Sequence, residues 1–354
     1  MRSPFELEQD LVPSLSAQRR VGVIFGGVSA ERDVSLRSGR AVLSALRATG
    51  EQVVGIELDA EQDPLLAIRR ARIDVAFLAL HGRLGEDGCI QGLLEWLRIP
   101  YTGSGVLASA LAMDKLKAKE LFRLHNVSTP PGYTLWPSQL DELVNVHAAF
   151  GFPVVVKPRR EGSSLGVSKA HNLAELERAA RHAFSFDSCA LVERLIDGQE
   201  VQVALLDGRV LGAIEVCPKR GLFDFLAKYE EGDTEFHLPA RLSSARYRSV
   251  LDLAQRAARA LETDGAVRVD LMVTSGQNEY VFEVNTLPGM TPTSLYPRIA
   301  EAAGYAFPEL CRALVDGARL HTNSTLSAAP AVQRGATSTT DYGVEEQRAR
   351  TRSL

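Results

Sequence analysis

The stretch AVRVDLMVTSGQNEYVFEVNTLPGMTPTSL (266–295) contains two strand patterns joined by a short polar turn. Apolar and polar residues alternate along both patterns, which is typical of strands that present two unlike faces. Glu283 and Asn285 are two positions apart, so their side chains point to one face of the predicted sheet. Asp270 lies on the other strand, and Arg268, two positions earlier, shares its face. The pattern therefore predicts a cluster of charged and amide groups on a β-sheet.

The chemistry of this cluster points to a metal and phosphate site. Oxygen donors from Asp270, Glu283 and Asn285 suit a hard cation such as Mg²⁺, which also binds nucleotide phosphates. Arg268 beside them is a suitable anchor for a phosphate or a developing oxyanion. Buried salt bridges within a sheet are the alternative, but they leave Asn285 and the following Pro-Gly-Met turn unexplained.

Three glycine-rich segments upstream also follow predicted strands. In KPRREGSSLGV (157–167), Lys157 ends a buried strand, where a cation is costly unless it is paired, and the loop after it could cover phosphates. FGGVSAERDVS (25–35) places glycines before a helix, a position that favours an anion. LHGRLGEDGCIQG (80–92) places His81 in a loop after a buried strand. A Walker A motif (GK[ST]) and a GxGxxG motif are both missing, so P-loop and dinucleotide sites are disfavoured.

Composition excludes several classes of protein. The chain has 354 residues, 45% of them hydrophobic and 24% charged, which is enough apolar material to build a core. Its net charge of −4 offers no basic excess for nucleic acid, and no apolar run is long enough for a membrane helix. The four cysteines form no CxxC pair and the histidines no HExxH motif, which argues against zinc. Without a signal peptide pattern at the start, we expect a cytoplasmic protein.

The periodicity predicts a mixed α/β and α+β architecture. We expect one helix over 109–126, a hairpin turn at Asp207-Gly208, a mobile lid over 218–242 and a final helix near 307–319. The predicted organisation has five parts: a leader (1–19), an N-terminal parallel α/β domain (20–103), a central α+β unit (104–190), a C-terminal unit with the metal site (191–320) and a disordered tail (321–354).

Taken in order, these motifs resemble a known family. The chain resembles the ATP-grasp fold in four features: MDKLKAK (113–119), Lys157 before its loop, ERLIDGQE (193–200), and the set of Asp270, Glu283 and Asn285. Longer segments are similar to the D-alanine:D-alanine ligase family: GGVSAERDVSL, LHGRLGEDGCIQG, YTGSG, KPRREGSSLGV, AKY and EVNTLPGMTPTSLYP. The match covers about residues 20 to 320. It implies an ATP-grasp fold preceded by a parallel α/β (pre-ATP-grasp) domain.

The resemblance also implies the activity and the site residues. The activity is ATP-dependent joining of two D-alanines through an acyl phosphate, for peptidoglycan precursors. ATP, the co-substrate, would be bound by Lys115, Lys157, Glu193, Ile196, Glu200 and, from the lid, Lys228. Two Mg²⁺ ions, or Mn²⁺ as substitute, would be held by Asp270, Glu283 and Asn285. The D-alanines and the oxyanion would be met by Glu31, His81, Ser163, Tyr229, Arg268, Gly289 and Ser294.

Two alternative functions remain at this stage. One is a D-alanine:D-lactate ligase on the same scaffold, and the other is an ATP-binding pseudoligase without catalysis. The complete set of lysines and metal ligands argues against the second. As partners we expect small-molecule substrates and a second copy of the chain in a homodimer, and neither nucleic acid nor membrane.

Overall fold

The computed structural model describes residues 19–218, 234–276 and 278–322, and these residues form three β-sheets with helices packed on them. The first sheet has the parallel order β2-β1-β3, the second the antiparallel order β4-β7-β5-β6, and the third the antiparallel order β10-β9-β8-β11-β12. The strands are β1 (Arg20–Gly26), β2 (Gln52–Leu58), β3 (Val75–Leu78), β4 (Gly132–Leu135), β5 (Val154–Pro158), β6 (Ser168–Ala170), β7 (Ala190–Arg194), β8 (Gln199–Leu206), β9 (Arg209–Pro218), β10 (Thr234–His237), β11 (Ala266–Val273) and β12 (Glu279–Asn285).

The helices lie between and around these strands. They are α1 (Arg32–Ala48), α2 (Pro64–Ala71), α3 (Cys89–Leu97), α4 (Val106–Met113), α5 (Lys115–Leu124), α6 (Leu143–His147), α7 (Leu173–Phe184), α8 (Ser244–Ala260), α9 (Leu295–Ala302) and α10 (Phe307–Asp316), with 3₁₀ turns at Pro137–Glu142 and Ala148–Phe150. The predicted parallel N-terminal sheet followed by antiparallel α+β sheets is confirmed.

The third sheet has helices on both faces, and strand alternation decides which residues meet which helix. On β8, Val203 and Leu205 belong to the apolar cluster that includes α8, whereas Ala204 and Leu206 belong to the cluster that includes α9. Side chains of successive strand residues point to opposite faces, so one strand contributes to two cores. The second sheet has α7 packed on one face only, which leaves its other face open for a cavity.

The hairpin between β8 and β9 is as predicted. Asp207 and Gly208 both have positive φ, 46° and 74°, as a two-residue type I′ turn requires. The final helix, which the sequence predicted near 307–319, is α10 (Phe307–Asp316). The predicted boundary between the central and C-terminal units, at residues 190 and 191, falls within β7. This strand pairs with β4 and β5 in the second sheet.

One helix prediction was wrong, and one helix was missed. The single helix expected over 109–126 is two helices, α4 and α5, because Asp114 leaves the helical conformation and its carboxylate accepts a hydrogen bond from Lys117 N at 3.2 Å. The Arg159 guanidinium donates two hydrogen bonds to the same carboxylate, at 2.7 and 2.6 Å. Helix α9 was not predicted, since its short apolar pattern follows a proline-rich turn.

The C-terminal boundary also differs by one residue. His321, assigned to the tail by sequence, donates its backbone N–H to Glu95 Oε1 at 2.8 Å and stacks near Tyr101. The rest of the predicted tail from residue 323 onward and the leader up to residue 18 lie outside the described residues. Among the described helices, none combines the length and the apolar character that a bilayer crossing requires.

Candidate functional site

A cavity of about 440 Å³, here called the large cavity, lies between the second and third sheets. Strand alternation explains its lining: Val154 and Val156 of β5 pack toward α7, while Val155 and Lys157 face the cavity. Every described residue that the sequence assigned to ATP lies on this cavity, as do two of the three assigned to the metal: Lys115, Lys157, Glu193, Ile196, Glu200, Asp270 and Glu283.

Lys115 and Lys157, two of the lysines that line the large cavity, are buried and paired. Lys157 Nζ lies 2.8 Å from Glu193 Oε2, and Lys115 Nζ lies 3.5 Å from Glu283 Oε2. Lys115 also donates a hydrogen bond to the carbonyl of Glu161. Ammonium groups held in place at one end of a cavity are suited to neutralise phosphate oxygens. Val155, Ile196, Met272 and Phe282 supply the apolar part of the wall.

The acidic end of the large cavity is formed by β11 and β12. Asp270 pairs directly with Glu283, and Arg268 pairs with Asn285. The register shifts between Asp270 and Leu271, so that Val281 rather than Phe282 is opposite Leu271. This bulge keeps Val281 and Val284 in the α8 core while Glu283 reaches the cavity.

The guanidinium of Arg268 is fixed by a carboxylate. Its Nε and Nη2 lie 2.7 and 2.9 Å from the two oxygens of Asp270, and Asn285 Nδ2 lies 3.4 Å from Asp270 Oδ2. A two-point contact of this kind fixes the plane of the guanidinium. The donor set also fits a hard cation, because the carboxylates of Asp270 and Glu283 line one end of the large cavity and the amide of Asn285 lies beside them. Within the described ranges, no cluster of three or more His, Cys, Asp and Glu side chains is placed to hold a metal.

A second cavity of about 60 Å³, here called the small pocket, adjoins the large cavity at Glu283. Its lining combines the first predicted domain, the glycine-serine loop and the third sheet, and includes Glu31, His81, Glu86, Gly162, Ser163, Arg268, Asn285 and Gly289. Ser163 donates a hydrogen bond to Glu31 Oε1, which links the loop to the start of α1. A Cβ at position 162 would lie 2.6 Å from Glu31 Oε2, so only glycine allows this close approach.

Burial changes the protonation of two groups in the small pocket. Desolvation, followed by the positive charge of Arg268, lowers the pKa of His81 to about 4, so this imidazole is neutral at pH 7. Desolvation, followed by the negative charge of Glu31, raises the pKa of Glu86 to about 8. Gly82 N donates to Glu86 Oε2 at 2.7 Å and holds that side chain in the loop. The small pocket thus contains a neutral imidazole and a carboxyl group whose pKa is raised by burial and by its acidic neighbour Glu31.

The remaining predicted residues fall into two groups. Ser294 is the N-cap residue of α9, and a Cβ at Gly289 would lie 3.1 Å from its Oγ, so Ser294 lies beside the small pocket without lining it. Its hydroxyl is bonded to Thr291 Oγ1 at 2.7 Å. Lys228, Tyr229 and residues 219–233 of the predicted lid lie outside the described residues.

Sequence reasoning did not include two ionisable residues near the site among the site residues. Glu86 was visible only as one charge in a glycine-rich loop, and Lys119 as one of several lysines in MDKLKAK. The signal for Lys119 was its spacing: it is four residues after Lys115, hence on the same face of a helix.

Comparison with protein families and known proteins agrees with this arrangement. Residues 132–316 match the family model described as D-ala D-ala ligase C-terminus, and residues 61–104 match D-ala D-ala ligase N-terminus. The chain is 48% identical over 303 residues to D-alanine--D-alanine ligase of Anaeromyxobacter sp. (strain K), covering 85% of this chain and 97% of that one. It is 49% identical over 306 residues to D-alanine--D-alanine ligase of Trichlorobacter lovleyi, covering 86% of this chain and 96% of that one.

Solved structures give the same result. D-alanine--D-alanine ligase from Bacillus anthracis complexed with ATP is similar with a TM-score of 0.72 and 35% identity, over 84% of this chain and 97% of that chain. VanG D-Ala:D-Ser ligase from Enterococcus faecalis is similar with a TM-score of 0.74 and 29% identity, over 84% and 99%.

Proposed function

The chain belongs to the D-alanine–D-alanine ligase family, and from that premise we propose that it joins two D-alanines to D-alanyl-D-alanine with ATP, releasing ADP and phosphate. The observation that carries this proposal is the position of Glu283, which lines both cavities. One cavity presents lysines suited to phosphates, and the other presents an acid suited to an ammonium. A reaction that transfers a phosphoryl group from one ligand to the other would occur at their junction.

The large cavity would bind ATP. Lys115 and Lys157 would neutralise phosphate oxygens, Glu193 and the backbone at Ile196 would meet adenine, and Glu200 would bind the ribose hydroxyls. Lys228, from the segment proposed as a lid, would reach the γ-phosphate. Asp270, Glu283 and Asn285 would hold two Mg²⁺ ions. When bound, these ions supply charge neutralisation on the phosphates.

The small pocket would bind the first D-alanine, whose ammonium Glu31 would take. Its carboxylate then attacks the γ-phosphorus, the bond to ADP breaks, and an acyl phosphate forms. Glu31, Ser163 and Tyr229 would form a hydrogen-bonded group that closes the site against water, which would otherwise hydrolyse this intermediate. Neutral His81 would lie beside the first substrate without adding a charge.

The second D-alanine would be held by its carboxylate at Ser294 and the Leu295 N–H. Its amine, once deprotonated, attacks the acyl carbon, and the tetrahedral oxyanion would be met by Arg268 and the Gly289 N–H. The bond from the acyl carbon to the phosphate oxygen then breaks, phosphate leaves and the amide forms. The two hydrogen bonds from Arg268 to Asp270 fix the orientation of the guanidinium before negative charge develops on the oxyanion. Donors that are positioned in advance in this way lower the activation barrier. The product would serve peptidoglycan precursor synthesis. A homodimer and a cytoplasmic location remain predictions from the sequence.

The test is phosphate release with ATP and D-alanine, followed by identification of the product. Dipeptide formed only when D-alanine is present supports the proposal. D-Serine and D-lactate are tested as competing acceptors, since one similar structure is a D-Ala:D-Ser ligase. A preference for D-lactate would indicate a depsipeptide ligase, and no turnover with any acceptor would leave an ATP-binding protein.

A further inference from the structure

Lys119 is buried behind the wall of the large cavity. Its side chain is 2% exposed, although Lys117, two residues before it on α5, is 50% exposed. Lys119 is four residues after Lys115 and shares its face of the helix, but only Lys115 reaches the large cavity. A buried ammonium is costly unless it is fully paired, so a charge at this position calls for a specific partner.

That partner is Glu193. Lys119 Nζ lies 2.7 Å from Glu193 Oε1, while Lys157 Nζ lies 2.8 Å from Glu193 Oε2. Lys119 also donates to Thr129 Oγ1 at 2.6 Å, and that hydroxyl donates to the carbonyl of Val281 at 2.9 Å. Each oxygen of the carboxylate therefore lies beside one ammonium group, and Lys119 is itself anchored to strand β12 through Thr129.

This arrangement keeps Glu193 ionised. Burial alone would raise the pKa of Glu193, but Lys119 and Lys157 together hold it below its ordinary value. Burial lowers the pKa of Lys119 to about 8. The group of two lysines and one glutamate has one excess positive charge, and Lys157 brings that charge to the cavity.

We propose that Lys119 is a positioning residue that fixes Glu193 as a hydrogen-bond acceptor and so makes the large cavity select adenine over guanine. The inference rests on the proposed function, in which Glu193 meets the purine. An ionised carboxylate can only accept hydrogen bonds. Adenine presents an amino donor where guanine presents a carbonyl oxygen, so a fixed acceptor attracts the first base and repels the second.

Removing Lys119 should weaken this selection without removing any atom that touches the nucleotide. In Lys119→Met, one oxygen of Glu193 loses its partner, and the carboxyl group can rotate or take up a proton. A protonated Glu193 can donate to the guanine oxygen. We expect the ratio of kcat/KM for ATP to kcat/KM for GTP to fall about tenfold, the value of one charge-assisted hydrogen bond. The KM for D-alanine should stay unchanged.

The matched control is Lys117→Met, which removes the same charge from the exposed side of the same helix, where Lys117 pairs with Glu120 at 2.7 Å. Its nucleotide ratio should equal that of the wild type. A second comparison uses Glu193→Gln: if Lys119 acts through Glu193, adding Lys119→Met to that variant should change the ratio little further.

A merely structural role gives a different result. Lys119→Met would then lower the melting temperature and the rates with ATP and GTP alike, leaving their ratio unchanged, and this outcome would overturn the proposal. If Lys119→Met does not fold, Thr129→Val decides, because it frees Lys119 but keeps both charges: a lowered ratio supports the proposal, and an unchanged ratio contradicts it. Wild-type turnover with D-alanine, measured first, separates failure of this inference from failure of the proposed function.

Discussion

The large cavity and the small pocket share Glu283, yet their charged groups are arranged in opposite ways. In the large cavity, the buried Lys115 and Lys157 are paired with Glu283 and Glu193 and present ammonium groups that are already held in place. In the small pocket, Glu31 and Glu86 lie close enough that one raises the pKa of the other, and His81 is neutral. The first arrangement suits an anion, and the second suits a small cation.

Unlike charge arrangements allow two neighbouring sites to exclude each other's ligands. Coulomb interactions between buried groups are strong and poorly screened by salt. A phosphate in the small pocket would face Glu31, and an ammonium in the large cavity would face Lys157. Glu283 lines both cavities, so its carboxylate can interact with a ligand in either one. Beside it, Arg268 and Asp270 are joined by two hydrogen bonds.

The largest expected effect is at this junction. Glu283→Gln keeps the shape of the side chain but removes the charge that the metal and Lys115 both require. We expect kcat to fall at least about a hundredfold, since metal assistance is worth several kcal/mol. The melting temperature without ligand should change little, because the side chain is partly exposed. Steady-state rates and a thermal melt measure both, and retained activity would refute the metal assignment.

A change confined to the small pocket should separate the two sites. Glu31→Gln removes the acid proposed for the substrate ammonium, so the KM for D-alanine at the first subsite should rise about ten- to a hundredfold. The KM for ATP should stay within the error of the wild type. If both KM values rose together, the two cavities would not be electrostatically separate.

The protonation of His81 gives a pH-dependent test of the small pocket. Its folded pKa of about 4 lies below the ordinary 6.5, so the unfolded chain binds the proton first as pH falls. Its stabilising contribution is complete above pH 6.5 and is lost between pH 6.5 and 4. Relative to His81→Gln, the wild type should lose about 1 kcal/mol of unfolding free energy between pH 7.5 and 5.5. Urea unfolding at several pH values measures this, and parallel curves for the two proteins would contradict a neutral, buried His81.

The smallest effect is expected at the C-terminal end of the described residues, which does not line either cavity. A chain ending at Thr322 should keep the melting temperature of the full chain, whereas one ending at Leu320 loses the contacts of His321 with Glu95 and with the carbonyl of Gly103. We expect a decrease of a few degrees, about 1 kcal/mol, in the shorter chain. Both KM values should be unchanged in either chain. An altered KM would mean that the C-terminal segment influences one of the two sites.

Much of the site was readable from sequence because its residues follow local rules. Strand alternation placed Glu283 and Asn285 together, and the Asp-Gly pair fixed a hairpin. The glycine-serine loop after Lys157 was recognisable from its composition. The break between α4 and α5 was not readable, because Asp114 ends one helix and begins the next through a contact with Arg159, 45 residues away.

The periodicities, the order of the motifs and hence the family can be read from the amino-acid sequence, since these depend only on residues near each other along the chain. Tertiary structure alone decided which charges meet. The bulge opposite Leu271 that turns Glu283 toward the cavity, the pairing of Lys119 with Glu193 and the pKa values of His81 and Glu86 all depend on groups brought together from distant segments. The physical reason is that burial and distance set electrostatic energies, and neither is a property of a local stretch of chain.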